Sequence, residues 1–177
     1  MKIIITGNGG TGKSTLAEKL GKKLNLPVTH LDKISFGKDW ARLNENEHRK
    51  ILNEILKSDN WIVEGWSYQS TMKERIKAAG IIIYLAYPPW FSYMNAVKRH
   101  IQYTFRYNPY DPPKSWIWKK TIRMFKAMNL VRKVYEPEFR LWLDEYKHSE
   151  LIFVIKKRKE LKALESILVS MNNQNNA

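Results

Sequence analysis

Gly7, Asn8, Gly9, Gly10, Thr11, Gly12, Lys13 and Ser14 are consecutive, so that a glycine is followed by four residues and then Gly-Lys-Ser. That spacing suits one task, the cradling of a phosphate chain by backbone. Glycines let the chain fold back tightly and aim successive N–H groups at an anion, and a helix beginning at Lys13 adds the positive end of its dipole. Lys13 is then expected to reach the β- and γ-phosphates and Ser14 the Mg²⁺, with Thr15 completing the nucleotide-binding set. The partners implied are ATP and Mg²⁺. The context fits, because the β-branched run Ile3-Ile4-Ile5-Thr6 precedes the loop and an amphipathic stretch follows it.

Two acids follow short apolar runs and invite the same question. A parallel sheet places its ligand outside the carboxyl ends of its strands, so residues that end strands are candidates for chemistry. Asp32 ends the run from Val28 to Leu31, and Glu64 ends Trp61-Ile62-Val63. Asp32 is read as accepting a proton from a substrate hydroxyl or as binding the metal's water shell. Glu64 is read as holding Mg²⁺, directly or through water, or as a substrate ligand. A helix cap or a surface salt bridge is the plainer use for either acid.

The elements that would position these residues alternate between strand and helix, the pattern of βαβ units around a parallel sheet. Strands are expected at Lys2 to Thr6, Val28 to Leu31, Trp61 to Val63, Ile81 to Ala86 and Leu151 to Ile155. The run from Ile81 is the most apolar and reads as central. Leu16, Leu20 and Leu24 predict a helix from Lys13 to Leu24, stopped by Asn25 and Pro27. Ile51, Leu52, Ile55 and Leu56 predict the buried stripe of a helix from Glu45 to Lys57. Gln69 to Ala78 reads as helical. Trp90, Met94, Val97, Ile101 and Phe105 lie on one face of a helix after Pro88-Pro89, with basic residues on the other side. Asn108 to Pro113 should break that helix, and a helical region should resume from about Ser115 to Tyr135. Glu136-Pro137 reads as a second break, before a helix from Phe139 to Tyr146. The last helix carries Leu161, Leu164, Leu168 and Met171, and Asn172 to Ala177 reads as a frayed tail.

At 177 residues, with 44% hydrophobic and 12% aromatic residues, the chain suits one domain with a core of its own. It has no cysteine, which removes disulfides and thiolate-held zinc, and the cytoplasm is the expected location. No run is long enough to span a bilayer or to form a signal peptide, so no membrane partner is expected. The net charge is +14 and unevenly placed. Between Val97 and Tyr135, Lys98, Arg99, Arg106, Lys114, Lys119, Lys120, Arg123, Lys126, Arg132 and Lys133 face a single acid, Asp111. Such a surface attracts polyphosphates, other anionic substrates, nucleic acid or an anionic membrane surface. Weak, non-specific nucleic-acid binding at low salt is therefore expected, and the aromatics interleaved there keep a nucleic-acid-associated regulator open as the second reading.

Across nearly its whole length the chain resembles the P-loop kinases that include adenylate and shikimate kinases. Among them it is similar to the adenylate-kinase-related "DNA topology modulation" proteins. The resemblance is carried by the phosphate-binding loop, Leu31-Asp32-Lys33 with Trp40, Trp61-Ile62-Val63-Glu64-Gly65, and Thr71-Met72 with Arg75. Lys98-Arg99 and the basic segment around Trp116 and Trp118 extend it. One departure is Glu64-Gly65 where such proteins commonly have Asp-Gly. The resemblance implies an α/β P-loop NTPase three-layer fold, with a five-stranded parallel sheet and a helical lid insertion. It implies a single kinase domain over 1–177, with a substrate-binding segment at about 33–60 and a lid at about 103–132. The activity implied is ATP-dependent phosphoryl transfer to a nucleotide or to an anionic or hydroxyl-bearing small molecule, by a monomer or dimer. Arg99 matches an arginine that packs on adenine. Arg123 and Arg132 are candidates for arginines that close on the transferring phosphoryl group beside the catalytic Lys13 and Asp32.

Overall fold

The computed structural model describes residues 1–35, 43–104, 117–146 and 151–175. Trp40, Phe105, the break at Asn108 to Pro113 and Trp116 lie outside the described residues, as do the side chains of Trp118 and Arg123.

The strands β1 (Lys2–Gly7), β2 (Val28–His30), β3 (Trp61–Glu64), β4 (Ile81–Leu85) and β5 (Leu151–Ile155) form one parallel sheet in the order β2-β3-β1-β4-β5. β1 is the middle strand, so β4 is one place off the centre where the sequence suggested it, although every residue of β4 is buried. Strands this apolar need cover on both faces, and successive side chains supply each face in turn. Ile3, Ile5, Ile62 and Ile83 pack under α1 (Lys13–Leu24) and α8 (Glu160–Asn175), meeting Leu16, Leu20, Leu164 and Leu168. Ile4, Val63, Ile82 and Tyr84 pack against α3 (Glu45–Lys57), α4 (Met72–Ala78) and α7 (Glu136–Tyr146), meeting Leu52, Met72, Ile76 and Phe139. The remaining helices are the short α2 (Leu31–Ile34), then α5 (Pro89–Thr104) and α6 (Ile117–Leu130). None of the described helices is long and apolar enough to cross a membrane.

Several expectations are corrected. β2 stops at His30, because Leu31 turns into the first residue of α2. The buried stripe of α3 is His48, Leu52 and Leu56, while Ile51 is 41% exposed. On α5 the face bearing Trp90, Met94, Val97 and Ile101 points outward, Trp90 being 64% exposed, and the face turned inward carries Ser92 and Ala96. Glu136-Pro137 does not break the helical rod. A π-helical turn, Val131–Tyr135, carries α6 into α7, with the Glu136 N–H donating to the Val131 carbonyl just before the proline that cannot donate. α8 continues through Asn172 to Asn175, so most of the expected frayed tail is helix.

α8 is fastened to α1 by Glu165, a buried carboxylate that accepts from Lys19 at 2.6 Å and Lys23 at 2.8 Å. Burial works to raise the Glu165 pKa, but the two ammonium groups outweigh it and hold the carboxyl below the ordinary glutamate value. The sign follows from linkage: the pairing stabilises the fold above the ordinary value and is lost as pH falls through the lowered one. Glu165→Gln is expected to lower stability by about 1 kcal/mol at neutral pH and low salt, since both lysines are half exposed. Urea titrations at neutral and acid pH check this, and the difference from wild type should shrink in acid.

Candidate active site

The glycine-rich loop leaves the middle strand at Gly7 and enters α1 at Lys13. Its carbonyls are held by donors from across the molecule. Trp66 Nε1–H donates to the Gly7 carbonyl at 2.8 Å, and Asn95 Nδ2–H donates to that of Gly10 at 3.0 Å. The Asn8 carbonyl accepts the Thr11 hydroxyl at 2.8 Å and the Lys13 ammonium at 3.3 Å. A trans peptide is planar, so fixing these carbonyls also fixes the directions of the N–H groups that follow them. At the helix start, Gly12, Ser14 and Thr15 are exposed, no side chain caps the end, and the first turn carries no acid. The first N–H groups of a helix have no intrahelical acceptor, so α1 presents a bare, positively polarised end beside the Lys13 ammonium.

Close packing explains two of the glycines. A Cβ on Gly10 would stand 2.4 Å from the Ser92 carbonyl oxygen of α5, and one on Gly9 would stand 2.7 Å from Met128 Cγ of α6. Asn8 is buried in the same contact: its amide donates to the Met128 carbonyl at 3.0 Å, and its Oδ1 accepts the Gly9 N–H at 2.7 Å. This approach also explains α5, whose inward face must be small to let the loop backbone in.

Strand alternation places Glu64 on the same face as Ile62, toward α1, and there its Oε1 accepts the Ser14 hydroxyl at 3.0 Å. His30 pairs in register with Glu64 on the neighbouring strand. Its Nδ1 lies 2.7 Å from the same Oε1, and its Nε2 lies 2.7 Å from Oε1 of Glu18, one turn after Ser14 on α1. Carboxylates only accept, so both ring nitrogens donate. Accordingly the His30 pKa is raised, chiefly by the bond to Glu64, against the opposing effect of burial. Burial works to raise the Glu64 pKa, but the His30 bond, the Lys13 ammonium and the Ser14 hydroxyl outweigh it and keep the carboxylate ionised below its ordinary value. Glu64 Oε2 is buried and accepts no hydrogen bond among the described residues.

The structure therefore brings Lys13, Ser14 and Glu64 together. Asp32 lies in the first turn of α2, exposed, with its carboxylate beside Gly65. Arg99 is exposed on α5 and donates to Met124 Sδ of α6 at 3.0 Å, and Arg132 is exposed in the π-helical turn. Sequence reasoning missed His30 because it carried β2 one residue too far, to Leu31, and so looked at Asp32, whereas His30 is the residue that ends the strand.

The loop after β3 is held from behind. Arg75 is fully buried, and its guanidinium donates to the carbonyls of Gly65 at 3.0 Å, Trp66 at 2.7 Å and Thr71 at 3.4 Å. Burial brings its pKa down to about 9. Ser67, with φ at 50°, links this loop to the residue that ends α2 and to α3: its hydroxyl lies 2.7 Å from that of Ser35 and 2.9 Å from His48 Nε2 of α3.

The model of the ATPase family associated with various cellular activities (AAA) matches residues 3–63, from β1 through β3. No curated protein matches the chain. Among solved structures, the shikimate kinase from Bacteroides thetaiotaomicron is similar over 97% of this chain and 97% of its own, with 16% identity and a TM-score of 0.51. An uncharacterized protein from Eubacterium ventriosum ATCC 27560 is similar over 98% of this chain and 99% of its own, with 14% identity and a TM-score of 0.52. Sheet order, loop and likeness agree, and the chain has the P-loop NTPase fold in the form that shikimate kinase also adopts.

Proposed function

We propose that this chain is an ATP-dependent phosphotransferase whose acceptor is a nucleotide or an anionic or hydroxyl-bearing small molecule. The observation that carries the reading is the junction of Ser14 with Glu64, 3.0 Å apart at the uncapped start of α1 with the Lys13 ammonium beside them. In this reading the backbone from Gly7 to Thr15 binds the polyphosphate and Lys13 neutralises charge on its terminal oxygens. Arg99 packs on the base, and Asp32 takes the proton of the acceptor hydroxyl. Residues of about 33–60 form the acceptor side. Those of about 103–132 form a lid that brings Arg123 and Arg132 to the transferring group and excludes water. The kinship with "DNA topology modulation" proteins is part of the same proposal.

The donor set suits Mg²⁺, which takes few protein oxygens and leaves the rest of its shell to water and phosphates. Ser14 offers a hydroxyl, and Glu64 offers an ionised carboxylate with one buried oxygen that accepts nothing from the described residues. When bound there, the ion would supply charge neutralisation across the phosphates. Glu64→Gln is expected to reduce the Mg²⁺-dependent gain in ADP affinity about tenfold, and Asp32→Asn to leave that gain intact while lowering acceptor-dependent ATP turnover a hundredfold or more. Calorimetry measures the first, and a screen of acceptors with ATP and Mg²⁺, scored by product mass, measures the second. Wild-type behaviour of both variants would remove both carboxylates from the chemistry. Tight, salt-tolerant DNA binding without acceptor-dependent turnover would replace the kinase reading with the regulator.

A further inference from the structure

We propose that His30 is a positioning residue for the Glu64 carboxylate, turning its Oε1 to Ser14 and leaving Oε2 to serve the bound cation. The inference rests on the reading of Glu64 as the metal-binding acid. It starts from topology: His30 and Glu64 are register partners on β2 and β3, so their side chains leave the sheet on the same face, toward α1. Ser14 and Glu18 lie four residues apart on α1 and share the facing side of that helix. The imidazole fills the space between, one nitrogen 2.7 Å from Glu64 Oε1 and the other 2.7 Å from Glu18 Oε1.

A ring fixed at both nitrogens cannot turn, and its side chain is only 12% exposed. Glu64 Oε1 thus takes two donors, His30 and Ser14, whereas the buried Oε2 takes none among the described residues. A glutamate has one more rotatable bond than an aspartate, and a loose one would have to be ordered each time the cation bound. The His30 clamp holds one rotamer in advance, which is how a neighbour outside the coordination sphere strengthens a metal site. Glu18 anchors the clamp to the same helix that carries Ser14, so the hydroxyl and the carboxylate are set against a common frame.

The test is calorimetry of ADP binding to the full chain with and without Mg²⁺. His30→Phe keeps the bulk of the ring but neither donor, and His30→Asn places an amide nitrogen where Nδ1 stood. Phe is expected to cut the Mg²⁺-dependent gain in affinity about tenfold with Mg²⁺-free ADP affinity unchanged, and Asn to keep that gain within about threefold of wild type. Should the Phe variant fail to fold, His30→Gln, with its donor at the Nε2 position, takes its place with the same expected loss. A Phe or Gln variant with the wild-type gain, or an Asn variant as impaired as Phe, overturns the proposal. Loss in Glu64→Gln without loss at His30 overturns this inference alone, whereas a wild-type gain in Glu64→Gln overturns the metal reading of Glu64 and this inference with it.

Discussion

Lys13→Ala is expected to weaken ATP binding at least a hundredfold while the apo protein keeps its fold. The two effects separate because the ammonium does little in the free protein. It is half-buried and among the described residues makes one long hydrogen bond, 3.3 Å, to the Asn8 carbonyl, and that carbonyl also accepts the Thr11 hydroxyl. Lys13 is the first residue of α1, where alanine is a good helix former. Against a triphosphate the same ammonium makes charge-assisted hydrogen bonds worth about 1.5–3 kcal/mol each, and two of them account for a hundredfold or more. Removing Lys13 also withdraws the cation that helps keep Glu64 ionised. Calorimetry with ATP, and urea unfolding of the apo protein, make the comparison. Unchanged ATP affinity would remove the loop from nucleotide binding, and a large loss of apo stability would mean that the lysine is structural.

The loop was legible because it is a local motif between a β-branched run and a leucine repeat. The bounds of α1, α3 and β5 were legible for the same reason: apolar periodicity is local, and so are the Asn25 and Pro27 that stop α1. Which face of a helix turns inward is a different matter. On α5 the apolar repeat from Trp90 to Ile101 marks a helix correctly but lies outward, because the loop backbone at Gly10 approaches Ser92 too closely for large side chains. The link of His30 to Glu64 and Glu18 was not legible at all, since it depends on the register between two strands 34 residues apart in sequence. Pro137 misled for a physical reason too. A proline ends a helix only if its lost hydrogen bond goes unabsorbed, and the π-helical turn before it absorbs the irregularity.

Arg75→Ala is expected to cost about 3–5 kcal/mol of stability, the largest loss predicted for any single side chain outside the apolar core. The guanidinium is wholly buried, and its neighbours are the carbonyls of Gly65, Trp66 and Thr71. Burial lowers its pKa only to about 9, so at neutral pH it remains a cation solvated by protein dipoles in place of water. Alanine would leave those carbonyls without their donor and open a cavity where the buried side chain stood, two costs that add. Arg75→Met separates them, since it restores volume but not the hydrogen bonds. It should recover part of the loss, with Tm still several degrees below wild type. The consequence reaches the site through one short path. Arg75 holds Trp66, Trp66 Nε1–H holds the Gly7 carbonyl, and the Gly65 N–H is tied to the Ile5 carbonyl of β1. Arg75→Lys, which lacks the planar fork, should therefore weaken ATP binding even at temperatures where it is fully folded. Thermal unfolding of the three variants with parallel ATP calorimetry makes the measurement. A methionine variant as stable as wild type would show that the loop carbonyls find other donors, and that the charge at position 75 is not what holds the β3 loop against the glycine-rich loop.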